Sequence, residues 1–488
     1  MLCSAVYYRF SRLAIPLLRN SLQNFGASSE RDFAAEPTQA LRLVSEREMG
    51  RTRWCMAATG VAWAIAAAAP REARFLSFAE VQEVLTAFGR TEDASAWDAW
   101  VRREDHEVRA RIDRGVEDSI SNLILYGSSF TGLPRVESAE TAATPAGELT
   151  AAARARVRVA AAALARPTAN ERLQFARDFV LGRGVQPERI EAFLAANLVR
   201  FAVEQRGYQE KLRLAHQGGD AADARFVGAT LFDRRGLSVD TSLLPNYALE
   251  DTLRAMLRKG ALATGRVRNI AVIGPGLDFT DKRDGYDFYP IQTIQPFAVM
   301  EAVVRLGLGR LEDLRVVTLD LNPAVNAHLQ GMAKRAREGG PYVVQLPRDG
   351  AADWTPQAIA YWEHFGELIG SPAAAVAAPK GLRVRAVAVQ PKYASRIEAL
   401  DLNVVGQVLD GAEFDLVVAT NILVYYDRFQ QGLAMAGIAR MMNGGGVFLS
   451  NTVLPAQRPG ALEYLGRRSV SYSVSGGYGD DIVVYRRR

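Results

Sequence analysis

Cysteine is nearly absent: the 488 residues contain only Cys3 and Cys55, both close to the amino end. Everything downstream therefore lacks a thiol nucleophile and a cysteine-ligated metal, and no disulfide framework reports a redox compartment. The four histidines, His106, His216, His328 and His364, are scattered without metal-ligand spacing, so no metal site is expected. No Gly-x-Ser-x-Gly elbow and no glycine-rich loop ending in Gly-Lys-Ser or Gly-Lys-Thr occurs, which removes serine-hydrolase and phosphate-loop readings. Lysine is scarce as well, 6 residues against 53 arginines, and the formal net charge is only +5. With abundant alanine, that skew fits a GC-rich coding bias better than a recognition surface. No basic run with interleaved aromatics is present, so no nucleic-acid partner is expected.

The amino-terminal part divides in two. From Met49 the chain reads Met-Gly-Arg-Thr-Arg-Trp, then an apolar run from Cys55 to Ala69. Residues 49–68 thus have the outline of a secretory signal with an exit after Ala68, residues 1–48 forming an upstream extension and Met49 a candidate start. The run of residues 55–69 is shorter than the roughly 20 residues that span a bilayer, so membrane association through a short anchor is the alternative, and cytoplasmic retention follows if the segment is no signal. Residues 71–235 read as a helical domain, with helices over Phe75–Phe88, Ala94–Arg114, Leu149–Arg166, Asn170–Leu181 and Pro187–His216. Ser128–Gly147, rich in Ser, Thr, Gly and Pro, reads as a mobile connection or long loop.

The carboxyl-terminal half carries the chemistry. Asn269–Ile273 is a continuous apolar run of the kind a buried parallel strand requires, and it enters a turn with Gly274 and Gly276. Glycine there lets the backbone turn sharply and approach a ligand. A third glycine is missing, so a dinucleotide pyrophosphate is poorly supported. Leu314–Leu321 is a second β-rich run with Asp320 near its end and Asn322-Pro323 after it. A carboxylate there accepts both hydroxyl protons of a ribose, or else caps the following helix. Residues 277–295, rich in acid and aromatics (Asp278, Asp281, Lys282, Asp284, Tyr286, Asp287, Phe288, Tyr289), read as an insertion, either a lid or a surface loop. Trp354–Leu368 reads as a helix packed into the core, and Leu382–Val389 as the third strand. Glu413–Thr452 then runs strand, polar strand end, amphipathic helix, glycine turn, strand. Arg468–Val474 and Ile482–Arg487, separated by Ser475–Asp481, read as a terminal hairpin.

In its Phe414-Asp-Leu-Val417 strand, helix and Gly444–Gly446 turn, the sequence resembles class I S-adenosylmethionine-dependent methyltransferases. The resemblance spans about residues 245–488. Asn421-Ile-Leu-Val-Tyr-Tyr-Asp427 is similar to the corresponding motif of chemotaxis-receptor methyltransferases. One departure is the absence of an acid before the first glycine, where Ala271-Val272-Ile273 stand instead. The resemblance implies an α/β fold, a Rossmann-like methyltransferase sheet ending in an antiparallel hairpin and preceded by the α-helical region. It implies S-adenosylmethionine as cofactor, held by Gly274, Gly276, Asp278, Asp320 and Asn322, with Asn421 at the next strand end and with Asp401 and Asn403 as candidates for the adenine. Tyr425, Tyr426 and Asp427 are the candidate catalytic residues beside an unidentified methyl acceptor, although both tyrosines equally suit helix packing and Asp427 equally suits a cap. A noncatalytic binding protein retaining the fold and a nicotinamide-dependent oxidoreductase are the alternatives. No oligomeric state is legible.

Overall fold

The computed structural model describes residues 72–166, 169–217, 227, 232–233, 235–237, 240–280, 286–454 and 460–488. Residues 1–48, the leader-like segment 49–68 with its apolar run, and Asp281, Lys282 and Asp284 lie outside the described residues. Among the described residues no helix is long and apolar enough to cross a membrane.

The amino-terminal elements are β1 (Ala73–Phe75), α1 (Phe78–Ala87), α2 (Ala94–Tyr126), α3 (Ala151–Leu164), α4 (Glu171–Gly182), α5 (Ile190–Gln217) and α6 (Leu244–Arg258). Helix α2 starts where the Asp93 carboxylate accepts the Ala96 N–H at 2.8 Å, an N-cap. It continues past Arg114 to Tyr126 because its second half buries Val116, Ile120, Leu123, Ile124 and Leu125. The segment Ser128–Gly147 is a long loop, and a packed one. Val136, Ala139, Ala142 and Ala143 are buried, and the buried Arg156 donates to the carbonyls of Ile124, Leu133 and Pro134.

From Asn269 the order is β2 (Asn269–Ile273), α7 (Gln295–Arg305), β3 (Arg315–Asp320), α8 (Pro323–Arg337), β4 (Tyr342–Asp349), α9 (Pro356–His364), β5 (Gly370–Ala373), β6 (Leu382–Val389) and α10 (Pro391–Ala394). It continues with β7 (Ile397–Asp401), β8 (Gln407–Leu409), β9 (Phe414–Ala419), α11 (Arg428–Arg440), β10 (Met442–Ser450), β11 (Leu462–Ser471) and β12 (Gly479–Arg487). Seven strands form one sheet in the order β7-β3-β2-β9-β10-β12-β11. The first five are parallel, and β12 runs antiparallel to both β10 and β11. The Rossmann-like sheet with a terminal antiparallel hairpin is therefore present.

The third parallel strand is β7, a correction to the sequence expectation. Leu382–Val389 instead joins β4 and β5 in a separate three-stranded antiparallel sheet inserted between β3 and β7. Its alternating β-branched residues make it the stronger strand by local propensity, whereas Ile-Glu-Ala-Leu-Asp is recruited into the main sheet by its pairing with β3. The aromatic residues of Trp354–Leu368 do pack as core: Tyr361, Trp362 and Phe365 are buried.

Alternation along each central strand divides the core into two layers. Ile270, Val272, Val316, Leu416 and Val418 face one layer with α6 and α7. Ala271, Ile273, Val317, Leu319, Val417 and Ala419 face the other with α1 and α11. Helix α2 belongs to both, since Trp97, Val101 and Val108 enter the second layer and Ile120 to Leu125 the first. With 33 residues it is roughly 50 Å long, enough to pass from one face of the sheet to the other. The fully buried Trp97 anchors its start, donating Nε1–H to the Leu76 carbonyl at 2.7 Å and stacking on Trp100, which meets Phe429 of α11 edge-on.

Candidate functional site at the carboxyl ends of the strands

Where β2 ends, Gly274 and Gly276 both adopt φ of 64°, a left-handed conformation that glycine takes without steric cost. The Gly274 N–H donates to the Leu319 carbonyl at 2.8 Å, holding the turn against the end of β3. Asp320 closes that strand. Its carboxylate accepts the Asn322 N–H at 2.8 Å and also a hydrogen bond from the Gly276 backbone. Burial nevertheless dominates those N–H groups and pushes the carboxyl up to about 7. Asn322 caps α8, its Oδ1 accepting the Ala324 N–H at 2.9 Å. The residue is 6% exposed, and its Nδ2 has no hydrogen-bond partner among the described residues.

The end of β9 supplies the other wall. Thr420 Oγ1 accepts Gln295 Nε2 at 2.7 Å from the start of α7, while the buried Gln295 Oε1 has no hydrogen-bond partner among the described residues. Asn421, at φ 60°, is the only non-glycine with positive φ among the described residues. It is clamped by Asn451, which accepts its N–H and donates Nδ2–H to its Oδ1, both at 2.7 Å. Tyr426 follows, buried, with the Arg111 guanidinium 5.9 Å from its ring. Burial raises its phenol above the usual value, so it is a neutral hydrogen-bonding group rather than a base.

These ends enclose a cleft lined by Gly274, Gly276, Asp320, Asn322, Thr420, Asn421, Ile422, Tyr425 and Tyr426. Leu402 and Val404, just past β7, extend it to one side. Ile112 of α2 and Leu237, Asp240 and Thr241 cover it, and the Thr241 N–H donates to the Leu277 carbonyl at 3.0 Å. The cavity volume is about 70 Å³, room for a few waters, whereas sites for drug-sized ligands occupy roughly 300–1,000 Å³. Ile422 is one reason. A Cβ built on Gly274 would overlap the Ile422 Cδ1 and Cγ1, so that side chain fills the space over the glycine turn.

Seven of the sequence candidates thus meet at one place: Gly274, Gly276, Asp320, Asn322, Asn421, Tyr425 and Tyr426. Four do not line the cleft. Asp278 turns into the protein, accepting Tyr289 OH at 3.1 Å and Gln292 Nε2 at 2.9 Å, because residues 278 and 292 pair in an antiparallel bridge. Asp401 is held outward by Arg109, with Nη2 to Oδ1 at 2.6 Å and a half-exposed side chain. Asn403 is fully buried and shapes its own turn, accepting the Val405 N–H and donating to Asp105 at 2.9 Å. Asp427 caps α11 in a reciprocal capping box with Gln430, so its oxygens serve the helix start.

The described part of the 277–295 insertion is neither a lid nor a solvated loop. Phe279 and Tyr289 are buried, and the buried Arg172 donates to the carbonyls of Asp278, Phe279 and Tyr289. The cover comes instead from Ile112 of α2 with Leu237, Asp240 and Thr241, which stand in no sequence motif. Ile422 lies inside the Asn421–Asp427 motif without being one of its candidates, Thr420 precedes that motif, and Asn451 lies 30 positions from Asn421.

No family model matches this chain, and no curated protein does. Solved structures similar to it include the N-methyltransferase NodS from Bradyrhizobium japonicum in complex with S-adenosyl-l-homocysteine, at 12% identity and TM-score 0.24, covering 50% of this chain and 88% of that one. A TehB-like SAM-dependent methyltransferase from Corynebacterium glutamicum matches at 10% and 0.23, covering 59% and 99%. Magnesium protoporphyrin IX methyltransferase from Synechocystis with bound SAM matches at 10% and 0.25, covering 57% and 97%. Such values leave the argument to the sheet itself. Five parallel strands, a glycine turn after the central one, an acid at the end of its neighbour and a closing antiparallel pair give this chain the α/β architecture that its resemblance to class I methyltransferases implied.

Proposed function

We propose that the cleft binds S-adenosylmethionine and that the chain transfers its methyl group to an acceptor yet to be identified. The observation that carries this reading is the convergence of Gly274, Gly276, Asp320 and Asn322 where β2 lies between β3 and β9. At such a switch point the helices leave the sheet on opposite sides and open a crevice beyond the strand ends. An ionised Asp320 accepts the two ribose hydroxyls, and the free Asn322 Nδ2 offers a donor to a nucleoside acceptor atom. Leu402 and Val404 give an apolar surface for the base.

When bound, the cofactor supplies an electrophilic methyl on a sulfonium, so the protein's task is orientation and exclusion of water rather than proton chemistry. The cleft fits that task. Tyr425 and Tyr426 are aromatic and buried at the β9 end, where aromatic faces favour a cation. The carboxylates lining the cleft are Asp240 and Asp320, and Asp240 accepts from Asn122 Nδ2 at 3.2 Å and Ser119 Oγ at 3.3 Å. An acceptor that needs little help losing its proton suits this lining best.

Calorimetric titration of the full chain with S-adenosylmethionine, S-adenosylhomocysteine and NAD tests the reading. Saturable heat with both adenosyl compounds and none with NAD is expected. Binding of NAD alone, or of none of the three to a folded sample, would remove it.

A further inference from the structure

One cause of the narrowness of the cleft singles out a side chain. Three independent features meet there. Ile422 occupies the space over Gly274 that the missing Cβ leaves. The residue before it, Asn421, is held in the left-handed region, which is uncommon for a side chain and recurs where strain is part of function. That conformation is clamped by Asn451, which also reaches Asp480 Oδ1 at 3.4 Å, and Asp480 Oδ2 accepts the Tyr472 hydroxyl at 2.6 Å. The terminal hairpin thereby supports a backbone conformation in the cleft.

The strand order says what this does to a ligand. Running across the sheet, the cleft is built from the ends of β7, β3, β2 and β9 in turn. A nucleoside whose ribose sits on Asp320 spans the β3 and β7 ends, so any chain attached beyond the ribose must cross the β2 and β9 ends, where Ile422 lies. Resting on the adenosyl reading of the site, we propose that Ile422 is a specificity-determining residue and Asn451 its positioning residue. With Ile422 on the glycine turn, the cleft discriminates against ligands that carry an amino-acid chain beyond the ribose. Rotation at Asn421 lifts the side chain away and admits them.

The test compares S-adenosylhomocysteine, which has that chain, with adenosine, which lacks it, by calorimetry on the full protein and on Ile422→Ala, Ile422→Val and Asn451→Ala. Ile422 is partly exposed, so its truncation leaves the fold intact, and thermal melting verifies this. Ile422→Ala is expected to tighten S-adenosylhomocysteine by about tenfold while adenosine changes by less than about twofold, the conservative Val falling between. Asn451→Ala shifts the ratio of the two affinities in the same direction. An equal change for both ligands, or weaker S-adenosylhomocysteine binding in a fully folded Ile422→Ala, overturns the proposal. An unchanged ratio in Asn451→Ala overturns the role of Asn451. If the protein and its variants bind neither ligand, the adenosyl reading itself is at fault.

Discussion

Replacing Asp118 with alanine is expected to destabilise the protein by about 3–5 kcal/mol, the range for breaking a buried ion pair by removing one partner. Asp118 and Arg235 are both fully buried, joined by Nε to Oδ2 at 2.9 Å, and Asp118 Oδ1 also accepts Arg200 Nη2 at 2.8 Å. Phe201 and Phe232 lie 5.2 and 5.3 Å from the Arg235 guanidinium, aromatic faces that offer no carboxylate in place of the lost one. The position of Arg235 makes the effect local to the cleft as well. The next residue, Gly236, packs backbone to backbone on Gly115 of α2, where a Cβ on either glycine would overlap the opposing main chain. Arg111 donates to the Arg235 carbonyl at 2.8 Å and to the Tyr425 carbonyl at 2.6 Å, tying this cover to the β9 wall. A urea midpoint measured for Asp118→Ala, Arg235→Met and the double variant checks the claim. The double variant should recover part of the loss, because it leaves no uncompensated arginine at position 235. A loss below about 1 kcal/mol in Asp118→Ala would show that the pair does not hold the cover.

The second large effect is on binding. Asp320→Asn should weaken S-adenosylhomocysteine by roughly 10- to 100-fold, the value of charge-assisted hydrogen bonds of about 1.5–3 kcal/mol, while raising stability at pH 8. The two signs follow from one pKa. Burial lifts the Asp320 carboxyl from 3.8 to about 7, so the folded protein holds this proton more tightly than the unfolded chain does. Stability from this group is therefore fully present below pH 4 and declines as pH rises towards 7. The asparagine variant lacks that decline. A ribose that donates both hydroxyls needs the ionised form, about a tenth of the population at pH 6 and nine-tenths at pH 8. Affinity in the parent should accordingly rise about tenfold over that interval and stay flat in Asp320→Asn. Equal pH profiles for parent and variant would place the ribose elsewhere.

Much of this site is legible in the sequence because its core is local. An apolar run entering Gly274 and Gly276, and an acid closing the next strand, are short local patterns, and both glycines adopt the left-handed conformation that a sharp turn favours. The candidates that do not line the cleft share a different logic. Asp278, Asp401, Asn403 and Asp427 are polar residues at element ends, where a helix start, a turn or a distant arginine uses the same oxygen as a ligand would. Sequence alone cannot rank those partners, since Arg109 lies 292 positions from Asp401. The cover was illegible for a related reason. Ile112 is one apolar residue in a long helix, and only the passage of α2 across the strand ends makes it part of the cleft. Leu382–Val389 reads as the third strand because its β propensity exceeds that of Ile397–Asp401, while pairing decides which of them joins β3.

On this reading the strand-end cleft holds an adenosyl group on Asp320 beside the glycine turn. A crystal structure of the full chain grown with S-adenosylhomocysteine measures this most directly. Ligand density is expected across the ends of β7, β3, β2 and β9, with both ribose hydroxyls on the Asp320 carboxylate and Ile422 displaced from Gly274. Ligand bound at another place, or a saturated crystal in which Ile422 still covers Gly274 and Asp320 touches only its own backbone, would contradict it.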